Sequence, residues 1–554
     1  GGSWRGLSDV TPFVDFESTY EGGSLNLSVG GVDYAFNYNR PVIGFKIDNA
    51  LLGIGGFFYV EGSFAFEKSG GVALDIDTGL PNRLTGNAAA LASQLRPFKT
   101  AGYLSSDNSR FEDLPVDMIS FGADNVSIKV GDYEDPLFSL NDIDVAFATY
   151  RATAAVDPDA VIPRMYSMSA FWPVALDVDW GFMQLQVDDI ALKLNTGSNW
   201  RGLEVSPNAD LISSFGQSGL EVATGGDPIN LDFGSQFFGV EISRARIAFG
   251  DFFFLQSGFA LTYTGSQAVS FNTGFSDTDP QAAATLSRLV TGGYVTQGQY
   301  SRANAVPMSV ITIGFSDARL FVGSGPYFVD SNQDGQINGE DTPSADAVGF
   351  AIDNLDLAAT IYSDKNKVVP RMWALSANVD FAGFVGIDFL ELSAQTLSIR
   401  ANQGTDWDGK DFAPTVDFVR TYGIDGLNVP TGGDPIAFTF NSPFMGVYVQ
   451  SATFRISEFV YVQGAFAFEK GQRQQITVNT GTRFGDISFA STVASLTASG
   501  ADVSTDWTTV SNVTVESMTI GIQDANVFIG YGIPDFSSDT PVDEQDGTFG
   551  LAIV

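Results

Sequence analysis

Apolar residues recur at every second position over long stretches of this 554-residue chain. Phe58, Val60, Phe64 and Phe66 share one face of such a stretch, as do Val460, Val462, Phe466 and Phe468. A period of two sends alternate side chains to opposite faces of a pleated strand, so the pattern predicts β-structure. The alternation also carries a recurrent slip. It runs up to one apolar residue, skips two positions and resumes out of phase. The junctions are Ile47 to Ala50, Ala123 to Val126, Leu140 to Ile143, Val187 to Ile190, Ile242 to Ala245, Phe315 to Ala318, Ile352 to Leu355, Ala394 to Leu397, Val449 to Ala452 and Ile522 to Ala525. The skipped pair is often acidic or amide, as in Asp48-Asn49, Asp188-Asp189 and Asp353-Asn354. A slip of one residue keeps the same face inward only where the strand bends or bulges. Two strands meeting at a short Asx corner, as in a β-solenoid, fit this motif, and a bulged strand in a sandwich fits it too.

Helical patterning is scarce. It is confined to Ala88–Leu95 and its counterpart Ala282–Leu289, where Asp279 reads as an N-cap and Pro280 as the first helical residue. This insert is expected to cover a sheet edge or cap a coil.

The same patterns return along the chain. Trp4-Arg5-Gly6-Leu7 recurs as Trp200-Arg201-Gly202-Leu203 and as Trp407-Asp408-Gly409-Lys410. Asp77-Thr78-Gly79 matches Asn272-Thr273-Gly274 and Asn479-Thr480-Gly481, and Pro163-Arg164-Met165 matches Pro370-Arg371-Met372. From the second copy to the third these landmarks keep one spacing, 207 positions. The reading is an all-β chain of tandem repeats, each a ~200-residue β-rich unit, solenoid-like or sandwich-like, with a short helical insert per unit. The units span residues 1–199, 200–406 and 407–554, the last truncated. Because Gly550-Leu551-Ala552-Ile553 matches Gly349-Phe350-Ala351-Ile352 in mid-unit, the chain reads as part of a longer array.

Composition narrows the chemistry. Cysteine and histidine are both absent, which removes disulfides, thiolate metal sites, thiol nucleophiles and every Ser-His triad. The formal charge is −37, a surface that repels nucleic-acid phosphates and attracts divalent cations. No apolar run reaches the ~20 residues of a membrane-spanning helix.

One motif is specific. Residues 330–341, DSNQDGQINGED, place oxygen ligands at the first, third and fifth positions, glycine at the sixth and an apolar residue at the eighth. Calcium needs six to eight oxygens, so Asp330, Asn332 and Asp334 must converge while Gly335 lets the backbone turn. Gln336 would offer its carbonyl, Asn338 a direct or water-mediated contact, and Asp341 closes the loop where glutamate is usual. The corresponding segments of the other copies lack the template: Asp132-Tyr133-Glu134-Asp135 in the first, and the stretch from Asp535 to Asp546 in the third. The loop resembles the calcium loops of cellulosomal dockerins, whose last ligand is likewise aspartate.

Two further features have competing readings. The aromatic pairs Phe57/Tyr59, Phe252/Phe254 and Phe459/Tyr461 could stack on a glycan or form a second buried face. Asp75 and Asp77 stand on one strand face, as a glycosidase pair would, but the second copy replaces them with Ser270 and Asn272.

The whole chain resembles the tandem repeat regions of giant bacterial secreted or cell-surface proteins of the adhesin, surface-fibre and matrix class. The shared features are long β-rich repeats, no cysteine, strong acidity and a calcium loop. That resemblance implies a non-catalytic structural segment at the cell surface or in secreted material. Its partners would be copies of itself or neighbouring repeats, with surface glycans possible, and neither nucleic acid nor a membrane span. The alternatives are a glycan-binding module, a β-helical polysaccharide-active enzyme and an outer-membrane β-barrel.

Overall fold

The computed structural model describes residues 12–56, 58–80, 84, 89–173, 176–179, 181–334, 336–482, 487–498, 501–532, 535–536, 545 and 547–553. A 20-stranded sheet dominates the described residues. Its long strands are, in chain order, β1 (Val42–Ile54), β2 (Phe58–Asp77), β3 (Arg110–Gly131), β4 (Pro136–Ala152), β5 (Met165–Trp172) and β6 (Met183–Gly197). They continue as β7 (Phe237–Phe249), β8 (Phe253–Asn272), β9 (Arg302–Ser324), β10 (Val348–Ser363), β11 (Met372–Val385) and β12 (Leu390–Gly404). The last are β13 (Phe444–Ile456), β14 (Val460–Asn479), β15 (Thr509–Tyr531) and β16 (Phe549–Ile553).

Each of these strands pairs antiparallel with the next. Tight turns make this possible: Gly55 and Gly56, between β1 and β2, both hold φ near +65°, at 64° and 66°. The all-β expectation holds, whereas its solenoid-like form is corrected. Solenoid coils pair in parallel with a coil one turn away, and here sequence neighbours pair antiparallel. A sandwich needs a second large sheet, and among the described residues there is none. Among the described residues no pairing joins β1 to β16, so these strands form an open sheet and no closed barrel.

All ten phase slips fall inside single strands. The ladder shifts register at Ile47/Ala50, Ala123/Val126, Ile242/Ala245, Phe315/Ala318 and Val449/Ala452. At seven junctions the second skipped residue adopts left-handed φ: Asn125, Asp142, Asp189, Asp317, Asn354, Thr396 and Asp524. Asn and Asp tolerate that conformation best among non-glycine residues, which accounts for the acidic and amide bias of the pairs. They are bulges, not corners.

The two faces of the sheet differ. On one, Phe45, Phe66, Phe121, Phe147, Met168, Leu194, Phe238, Tyr263, Ile311, Ile361 and Trp373 stand opposite one another in register from β1 to β11. All of them are half-buried or exposed. The other face is capped. Val72, Leu74, Ile76, Leu114, Val116, Met118, Tyr150 and Met165 of β2 to β5 form one core with Leu91, Leu95 and Phe98 of the helix Ala89–Thr100. Val269, Phe271, Val306, Met308, Tyr362 and Met372 form its counterpart with Ala282, Leu286 and Leu289. The helical inserts thus lie on the sheet face, correcting the edge-cover expectation. The N-cap expectation is also corrected. The helix Ala282–Thr285 begins after Gln281, and Asp279 instead accepts from the Gln281 N–H (2.8 Å) in the preceding turn.

The covers do not respect the repeat boundaries. Trp200, Ala209, Leu211, Leu220, Val222, Leu231 and Phe233 complete the first core, although they open the second copy. Trp407, Val416, Phe418, Val429, Phe438 and Phe440, which open the third copy, complete the second core. Equivalent bonds pin both covers. The indole N–H of Trp200 donates to the Thr78 carbonyl and that of Trp407 to the Thr273 carbonyl, each at 2.7 Å. Buried Asn195 donates to the carbonyls of Ala209 and Ser235, and buried Asn402 to those of Val416 and Ser442.

Candidate functional site

The calcium-loop sequence lies between β9 and β10, and packing anchors it on the capped face just before its start and at its eighth position. Ile337, the apolar eighth position, is buried with Phe328 against Phe321 and Ala351. Its carbonyl accepts from Gln256 Nε2 at 2.7 Å. Tyr327 stacks on Phe321, and Phe328 lies 5.2 Å from Phe254. An apolar residue at this position anchors the loop while its neighbours face outward.

Within the loop the side-chain oxygens turn toward its own backbone. The Asp334 N–H donates to Asp330 Oδ1 (3.1 Å) and Asn332 Oδ1 (3.0 Å), and Asp334 Oδ1 accepts from the Gln336 N–H at 2.7 Å. Asn332 Nδ2 reaches Asp334 Oδ2 at 3.1 Å. Asp341 closes the ring: Oδ1 accepts from the Ser331 N–H (2.7 Å) and Oδ2 from the Asn338 N–H (2.9 Å). The Asn338 N–H, foremost among these donors, holds the Asp341 carboxyl below its usual range, so it stays ionised. Asn338 Oδ1 in turn accepts from Glu340 N at 2.7 Å. Asp330, Asn332, Asp334 and Asp341 are therefore gathered into one turn, with Gln336 and Asn338 beside it, while Gly335 lies outside the described residues. Among the described residues no group of three or more Asp, Glu, His or Cys side chains is arranged to hold a metal ion. The donor set remains hard oxygen, the chemistry that calcium takes.

Gln336, Ile337 and Asn338 also line a polar cleft of about 670 Å³ together with bulge residues Asp188, Asp189, Arg244 and Asp317 and the neighbouring Asp356. Its groups are engaged with one another: Arg244 Nε donates to Asp188 Oδ2 (2.7 Å), and the Asp317 N–H to Asp356 Oδ1 (3.0 Å).

The aromatic pairs divide. Tyr59 packs on Tyr133, Phe254 on Phe328 and Tyr461 on Phe536, with ring centroids 5.2, 5.2 and 5.4 Å apart. One member of each pair therefore holds down the loop after β3, β9 or β15. Phe252 and Phe459 are exposed at the turns before β8 and β14, and Phe57 lies outside the described residues. Sequence reasoning missed this recurrent lock, although Tyr133 and Phe328 stand 195 positions apart, as do Tyr59 and Phe254.

The carboxylates Asp75 and Asp77 sit where the second copy's opening segment joins the first sheet. Arg110 Nη2 bridges Asp75 Oδ2 (2.9 Å) and Asp210 Oδ2 (2.8 Å), and Asp210 also caps the helix Leu211–Phe215. Burial, followed by repulsion from Asp210, pushes the Asp77 carboxyl up to about 6. An acid raised from 3.8 in the folded state is unpenalised below pH 4, and its cost grows until pH 6. Lowering the pH from 7.5 to 5 should therefore stabilise the first unit. Asp77→Asn, the residue that the second copy carries as Asn272, should raise stability at pH 7.5 by up to about 3 kcal/mol, at 1.36 kcal/mol per pKa unit. Thermal melts of both proteins from pH 4 to 8 check this, since equal pH profiles would remove the claim.

No protein-family model, curated protein or solved structure matches the chain.

Proposed function

We propose that this chain is a structural, non-catalytic segment of an extracellular rod, fibre or adhesin stalk, stiffened by calcium at residues 330–341. One observation carries the reading: the opening segment of each later copy completes the core of the copy before it. Copies joined in this way cannot swing independently, because separating them would expose Trp200, Leu211 and Phe233, or Trp407, Phe418 and Phe438. A stalk needs this stiffness, and a freely hinged array lacks it. The half-exposed apolar face offers a surface for lateral assembly of the kind that a fibre or sheath uses. Negative-stain microscopy of the full chain should show stiff elongated particles or fibres, and isolated compact globules would count against the reading.

Calcium would be held by Asp330, Asn332, Asp334 and Asp341 with the Gln336 carbonyl, and Asn338 directly or through water. Three carboxylates in one turn repel each other, so a cation stabilises the closed loop. At a calcium concentration a hundred times Kd, the gain is about 2.7 kcal/mol by mass action. Asp330→Ala should abolish that increment while leaving β9 and β10, held by their own ladders, in place. Calorimetry of the full chain with calcium and with chelator decides it: identical melts would sink the calcium site.

A further inference from the structure

We propose that the bare apolar face of the sheet lies against the hydrocarbon of a lipid bilayer, which β7 to β11 cross as membrane strands. This goes beyond the stalk reading, because it names what holds such a segment at a cell surface. It also gives to lipid the face on which a neighbouring copy would otherwise pack.

These five strands lie in the middle of the sheet, each paired on both sides. Along them the bare face carries a band with two aromatic margins. At the turn end Phe249 stands opposite Phe253, and Phe350 opposite Phe384. Exposed Phe182, Phe252, Phe389 and Phe459 extend this margin into the turns before β6, β8, β12 and β14. At the other end Phe238 stands opposite Tyr263, and Ile361 opposite Trp373. Between the margins, Ile247, Leu255, Leu320, Ile352 and Ala382 follow one another in register. Charge returns past the second margin, at Lys68 two positions beyond Phe66 and at Lys470 two beyond Phe468.

The height of the band fits hydrocarbon. At ~3.3 Å per residue, β8 travels about 33 Å from Phe253 to Tyr263. Tilted by about 40°, it rises about 25 Å, the height of the apolar band on membrane strands. Such strands need about 9–11 residues to cross. Tyrosine and tryptophan belong at the margins, where an amphipathic ring meets headgroups.

The two faces are also inverted relative to a sheet in water, which keeps its polar side outward. Gln256 is 4% exposed and donates to the Ile337 carbonyl, whereas its neighbour Leu255 on the bare face is 37% exposed. Arg319, whose side chain is 3% exposed, pairs with Asp353 at 3.0 Å on the capped side. Arg244 pairs with Asp188 on that side too. Ion pairs lie beneath loops while leucine, isoleucine and phenylalanine stand bare.

A second copy is the other occupant to weigh, and twist decides against it. Adjacent strands rotate by roughly 20–25°. Two rigid faces of this width therefore part after a few strands, whereas fluid acyl chains follow the surface throughout. Backbone groups in hydrocarbon must all be paired, and β7 to β11 meet that rule on both edges. By the same rule β1 and β16 enter hydrocarbon only with a strand partner along their outer edges.

The test uses the full chain, whose lack of cysteine lets one introduced thiol carry an environment-sensitive dye. Ile311→Cys and Val322→Cys place the dye on the bare face, and Asn378→Cys places it at an exposed position on the other. Each protein is reconstituted from a non-ionic detergent into vesicles of phosphatidylcholine, a lipid without net charge that does not repel a chain of charge −37. The protein should float with the vesicles through an alkaline wash. Dyes at 311 and 322 should shift to the blue, be quenched by brominated acyl chains and be shielded from aqueous iodide, while iodide quenches the dye at 378. Protein left in the soluble fraction overturns the proposal, as does iodide reaching 311 and 322 as readily as 378. Shielding of 311 and 322 that grows with protein concentration in vesicle-free buffer would give the face to a second copy and overturn it too. Compact globules under the microscope would instead sink the stalk reading and leave this assignment standing.

Discussion

Trp200→Ala should cost the first unit about 3–5 kcal/mol, the range for truncating a large buried aromatic. Trp200 is one of the largest fully buried side chains, and its indole N–H satisfies the Thr78 carbonyl in the core. Truncation removes the packing and leaves that carbonyl without its donor. Trp200→Phe keeps most of the apolar volume, so its cost should be smaller, about 1–3 kcal/mol for the unsatisfied carbonyl. The informative feature is which region responds. Residue 200 belongs to the second copy by sequence, yet hydrogen exchange should rise in β2 to β5, around Leu74, Leu114 and Tyr150, because those residues lie beneath it. Trp407→Ala should produce the same loss one unit along, in β8 to β11. If exchange instead rose within each tryptophan's own copy, the interlocked arrangement would be wrong.

Gly314→Ala should destabilise the second unit by about 1–3 kcal/mol, the usual cost of overpacking. Its added Cβ would lie 2.0 Å from the Pro430 carbonyl and 2.8 Å from Thr431 Cα, both backbone atoms of the cover, so the segment must lift. Gly122→Ala should behave likewise against Ala223 and Thr224. Gly521→Ala is the matched control, since its added Cβ would meet only Ala467 Cβ, at an ordinary contact distance of 3.7 Å, and its backbone is not left-handed. There the substitution should be neutral or slightly stabilising, because alanine loses less entropy than glycine in a strand. Denaturant titration of the three variants decides the matter, and equal effects at positions 314 and 521 would refute the cover geometry.

Much of the architecture was legible in the sequence because strand signals are local. Phe58, Val60, Phe64 and Phe66 alternate because both faces of a strand meet different surroundings along its whole length. The slips at Ile47/Ala50 and Phe315/Ala318 were visible because a bulge shifts that alternation by one residue. Whether a slip is a corner or a bulge was not legible, since both produce the same apolar phase. The candidate loop at residues 330–341 was legible for the same local reason, as its ligand spacing lies within twelve consecutive residues. The role of Ile337 as an anchor on Phe321 was not, because its partner stands on β9.

The sequence by itself determined the strand content, the positions of the phase slips, the spacing of the recurring landmarks and the absence of cysteine and histidine chemistry. Each is a property of neighbours along the chain or of composition. Only the tertiary structure decided that successive strands join in one open antiparallel meander and that the first and second copies each borrow a cover from the copy after them. It also decided that Asp75 answers to Arg110 and Asp210. Leu74 and Trp200, or Asp75 and Asp210, are more than a hundred residues apart, and no local period records which distant surface an apolar segment will bury. Trp200 and Trp407 look alike in the sequence, and both are buried because the sheet of the preceding copy lies beneath their segments.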